Sequence, residues 1–95
     1  MTTLRIEHPI SDLSAWRQAF DSFSEARQRA GVVSHVVRQP VGDAHHLSVD
    51  LEFPDVAGAE AFRTFLRTRV WASTDASPAL RGEPIATIHD VVEAT

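Results

Sequence analysis

The chain has 95 residues, 43% hydrophobic and 23% charged, the composition of an ordinary globular protein, and we read it as a single domain, 1–95. Its net charge of −4, with nine Arg and no Lys, argues against nucleic acid as the main partner, because phosphate binding needs a basic surface. The absence of Cys excludes disulfides and thiolate chemistry.

No apolar run approaches the ~20 residues of a membrane span. The N-terminal MTTLRIEHPI carries no signal-peptide pattern, so the expected location is the cytoplasm, away from membranes. A domain this small buries only about two-thirds of its unfolded surface, which gives it a motive to self-associate.

The first element is a strand from Thr3 to Pro9. Leu4 and Ile6 alternate with Arg5 and Glu7, and His8 shares the inward parity. Ser11 or Asp12 then supplies a helix N-cap. Leu13, Trp16, Phe20 and Phe23 form an apolar stripe that the stem of Arg27 continues, and Gly31 ends one continuous helix.

A β-branched stretch predicts a second strand from Val32 to Gln39. Pro40, Gly42 and Asp43 form the turn into a third. That third strand has the clearest pattern. Leu47, Val49, Leu51 and Phe53 face one way, and His46, Ser48, Asp50 and Glu52 the other.

Asp55 caps the second helix, with Val56, Ala59, Phe62, Phe65, Leu66 and Val70 on its apolar side and Trp71 near its end. Residues 72–82 are small and polar, with a short helical turn expected over Pro78–Arg81. The last strand is expected over Pro84–Val92.

The order β-α-β-β-α-β has a simple solution: a four-stranded antiparallel sheet with both helices on one face, an α+β ferredoxin-like fold. Right-handed crossovers put strand one in the centre beside strands three and four, with strand two at an edge. The open face then carries Arg5, Glu7, Ser48, Asp50 and Glu52, with valines and Ile88 from the outer strands. Two such faces packed together would make a homodimer.

Trp16 and Phe20 on the first helix, Gly31 at its end, and FPDVAGAEAF leading from the third strand into the second helix give the chain a family likeness. With this element order, it resembles the dimeric α/β-barrel superfamily, which includes antibiotic-biosynthesis-monooxygenase-like proteins. The resemblance implies a homodimer whose two sheets form a barrel, with a small-molecule pocket between sheet and helices in each subunit. Some members oxidise polycyclic aromatic or quinol substrates without metal or flavin, others degrade haem, and many have no known activity.

The chain departs from the catalytic subfamilies. It contains no Asn, and no His occurs between Ala72 and Pro84. The haem-degrading type requires both. Trp71 is the candidate for its Trp.

The candidate site residues are His8 and His35 as acid–base groups, with Trp71 and Phe62 beside them in binding an apolar or aromatic ligand. If the hairpin centres near Gly42, His35 lies across from Val49 and faces the helices. A neutral imidazole there can accept a phenolic proton, although a buried His satisfied by a local backbone group is the plainer alternative. A zinc site would need three convergent ligands, which only His8, His35 and His45 could supply; no metal and no cofactor is expected. Asp50 and Glu52 face Arg5 and read as a structural charge network.

The function expected from sequence is a homodimeric small-molecule-binding protein. The alternatives are a cofactor-independent monooxygenase acting on a phenolic, quinol or polycyclic aromatic substrate, and a non-catalytic interaction domain.

Overall fold

The computed structural model describes residues 1–94. Alternation builds the sheet. β1 (Thr2–Pro9) and β3 (His46–Phe53) pair antiparallel in the centre, with Leu4 opposite Leu51, Ile6 opposite Val49 and His8 opposite Leu47. β4 (Ile85–Asp90) lies on the other side of β1, and β2 (Ser34–Arg38) on the other side of β3. The order β2-β3-β1-β4 is the ferredoxin-like arrangement expected from the sequence. Leu4, Leu47, Leu51 and Phe53 are at most 1% exposed, so the apolar parity of the central strands is the floor of the core.

Helix capping follows the aspartates. Asp12 accepts from the Ala15 N–H at 2.9 Å and opens α1 (Leu13–Ser22). Asp55 accepts from the Gly58 N–H at 2.9 Å and opens α3 (Val56–Phe65). Each cap satisfies a helix N–H that has no intrahelical partner. Gly31, at φ 88°, takes the left-handed conformation that ends the first helical layer.

The expected single first helix is two. It breaks at Phe23 (φ −101°, ψ 14°), and α2 (Ser24–Arg29) continues from there. The Phe20 carbonyl explains the break. It accepts from the Phe23 N–H at 3.2 Å, and the Arg27 guanidinium reaches back to bond it as well. α3 also ends differently from a regular helix. It runs into a five-residue π-helical turn, Leu66–Val70, closed by the Trp71 N–H on the Leu66 carbonyl at 2.7 Å.

Four further expectations are corrected. Val56 is exposed, because helical side chains lean toward the N-terminus and the first one leans off the end. Ile88 pairs with Leu4 and faces the helices, and Ile85 takes its place on the open face. β2 and β4 are shorter than expected at both ends. The hairpin pairs His35 with Leu51, not Val49, a two-residue shift that leaves the face of His35 unchanged.

The open face of the sheet is charged at its centre and apolar toward both edges. Asp50 receives Arg38 at 2.9 Å and Arg5 at 3.4 Å, and Thr3 donates to Glu52 at 2.6 Å. Val36 on β2 and Ile85 on β4 flank this network, 45% and 61% exposed. Among the described residues no helix is long and apolar enough to cross a membrane.

Candidate functional site

Between the helices and the sheet lies a partly open cavity of ≈ 80 Å³. Its floor is Ile6, His8, Val49 and Leu51, and its roof includes Trp16, Phe20 and Phe62. The aromatic roof is ordered by ring contacts. Trp16 stacks on Phe20 at 4.7 Å, Phe62 on Phe65 at 5.5 Å, and Phe65 meets Phe23 edge-on at 6.2 Å. The π-helical turn and the loop after it close one end through Val70, Trp71 and Leu80. Trp71 and Leu80 also line a larger outer cleft of ≈ 590 Å³, with Arg67 and Glu83 at its rim. Trp71 and Leu80 therefore stand between the inner cavity and the outer cleft.

His8 is the one imidazole lining the cavity, and it is 4% exposed. Its Nδ1 lies 3.1 Å from the Pro9 carbonyl oxygen. A carbonyl only accepts, so the ring donates from Nδ1 and keeps its lone pair on Nε2. Burial holds its pKa below the ordinary 6.5; the Pro9 bond offsets this in part, and the nearby His46 adds to it. At neutral pH His8 is an uncharged acceptor in apolar surroundings.

This shift has a measurable consequence. Below pH 6.5 the unfolded chain takes up a proton at residue 8 more readily than the folded chain, so stability falls as pH drops below that value. His8→Gln should flatten the decline of urea-unfolding free energy between about pH 6.5 and 5. Parallel pH profiles for the two proteins would contradict the assignment.

The structure brings His8, Trp71 and Phe62 to one cavity. His35 is not among the lining residues. It is exposed and meets Phe20 edge-on at 5.1 Å. His45 shares the inward parity in the sequence, yet it is exposed in the turn just before β3. Among the described residues no three His, Asp or Glu side chains converge as metal ligands.

The charged residue of the lining is not among the site residues that the sequence suggests. Arg27 is 8% exposed and lines the cavity, with its guanidinium carbon 3.6 Å from the centre of the Phe20 ring. The available signal was its place: a cation in the apolar stripe, one turn after Phe23 and two after Phe20.

No family model and no curated protein matches the chain. Solved structures do. SnoaB, a cofactor-independent oxygenase from Streptomyces nogalater, superposes with a TM-score of 0.72 at 14% identity, over 98% of this chain and 94% of that one. A protein of unknown function from Nitrosomonas europaea gives 0.69 at 16% identity, over 99% and 91%. A dimeric ferredoxin-like protein from an uncultured marine organism gives 0.64 at 12% identity, over 100% and 98%. The shared fold is ferredoxin-like.

At such identities the likeness concerns the backbone. The cavity's chemistry belongs to this chain's own side chains: a largely apolar interior, one neutral imidazole, one hydroxyl and one guanidinium.

Proposed function

We propose that the protein is a homodimer, joined through the open sheet faces, that binds a small, partly apolar molecule between sheet and helices. The observation that carries this reading is the cavity itself, aromatic-roofed and holding the buried acceptor His8. Trp71 and Phe62 form its apolar contacts, and His8 orients a ligand hydroxyl through Nε2. His35 steadies Phe20 from the outside.

Volume decides between ligand sizes. A cavity of about 150 Å³ accommodates benzene, and this one is ≈ 80 Å³. A single ring enters with part of its body at the mouth, while a polycyclic ligand requires Trp71 to move. A thermal-shift screen of small aromatic, quinone and haem compounds tests the reading. At saturation a fitting ligand should raise Tm by about 5 °C or more. No shift with any of them, together with a crystal structure showing a filled interior, would overturn it.

A second reading is supported by the free Nε2 of His8: a cofactor-independent monooxygenase acting on a phenolic or quinol substrate. His8 would accept the phenolic proton as dioxygen attacks the ring. One oxygen atom is retained on the product quinone, as a carbonyl from a phenol or as a hydroxyl from a quinol, and the other leaves as water, with the substrate supplying all four electrons. This reading expects oxygen uptake with 1-naphthol or a hydroquinone that His8→Ala abolishes and His35→Ala spares. Equal rates in wild type and His8→Ala would remove it.

A further inference from the structure

We infer that the ligand of this cavity is a small organic anion whose carboxylate is held by Arg27, an inference that rests on the cavity being a binding site. Arg27 is a buried cation whose partners among the described residues are a carbonyl and a ring. It donates to the Phe20 carbonyl through Nη1 and lies over the Phe20 face. Among the described residues no carboxylate forms an ion pair with it, and Asp21 acts on it only at longer range. Buried charges are normally paired, because desolvation otherwise penalises the charged form. That penalty is visible here in a guanidinium pKa pushed down by burial.

A guanidinium has five N–H donors, and the Phe20 carbonyl engages Nη1 alone. Among the described residues the edge formed by Nε and Nη2 meets no protein acceptor. No buried side-chain nitrogen among the described residues lacks a partner, so these atoms reach accessible space. That edge is the fork that binds a carboxylate through two parallel hydrogen bonds. The rest of the lining is largely apolar, and its other polar side chains, His8 and Ser77, are uncharged, the Ser77 hydroxyl being bonded to the Val70 and Ser73 carbonyls. The arrangement favours one negative charge on an apolar body.

The test uses the full chain and two ring ligands that differ in charge, benzoate and benzyl alcohol, at neutral pH and fixed salt. The Trp16 and Trp71 indole N–H resonances report occupancy. Wild type should bind benzoate about tenfold more tightly than benzyl alcohol, the increment expected of a charge-assisted contact. Arg27→Met should remove that preference, bringing the benzoate and benzyl alcohol affinities of the variant within about twofold of each other. Equal affinities in wild type, or a benzoate preference that survives in Arg27→Met, would overturn the anion assignment and leave the cavity reading standing. Failure of both compounds to move either indole would overturn the cavity reading too. If Arg27→Met does not fold, the wild-type pair of affinities decides alone.

Discussion

Phe53→Ala is expected to remove a large part of the protein's stability. Phe53 is fully buried at the end of β3, packed against Phe62 at 5.9 Å and against Gly58. Truncating a buried Phe to Ala costs about 3–5 kcal/mol through lost transfer energy and a residual cavity. Domains of this size have about 5–15 kcal/mol in total. The variant should unfold at a much lower urea midpoint with an unchanged m-value. A loss below about 1 kcal/mol would mean that β3 does not form the floor of the core.

Ile85→Glu is expected to break self-association while leaving the chain folded. Ile85 is 61% exposed on the open sheet face, directly opposite Glu7 on β1. An exposed substitution of this kind changes folding stability by about 0.5 kcal/mol or less. In a face-to-face dimer it would place an unpaired carboxylate on each copy beside a charge of like sign. Such juxtapositions cost several kcal/mol, so the dimer dissociation constant should rise by about a hundredfold or more. Light scattering should then give a monomer mass where wild type gives twice that mass. A wild type that is itself monomeric, or a variant that dimerises equally well, would remove the open face as the interface.

The features legible in the sequence were those fixed by a short period. In β3 the polar residues Ser48, Asp50 and Glu52 alternate with Val49, Leu51 and Phe53, so a one-residue slip would bury two carboxylates, and the facing was unambiguous. The parity of β1 then placed His8 inward beside Leu47. The strand order followed from the handedness of crossovers.

Features set by tertiary contacts were harder to read. The break at Phe23 depends on Arg27 reaching back to the Phe20 carbonyl, a contact that no local pattern specifies. The faces of Ile85 and Ile88 could not be assigned because β4 carries apolar residues on both parities; pairing with β1 decided them. The two-residue shift of His35 arose in the turn between β2 and β3, where the pairwise valines of β2 leave register weakly specified. The sequence shows Arg27 as a stem covering apolar surface, and it does cover such surface. That its head lies over Phe20 beside the cavity required the relative placement of α1, α2 and the sheet.

The most direct measurement is a crystal structure of the protein grown with the strongest hit from the thermal-shift screen. Ligand density is expected between Phe62 and the sheet, touching Trp71 and within hydrogen-bond reach of His8 Nε2. Density confined to the outer surface, with that interior closed over by side chains, would contradict it.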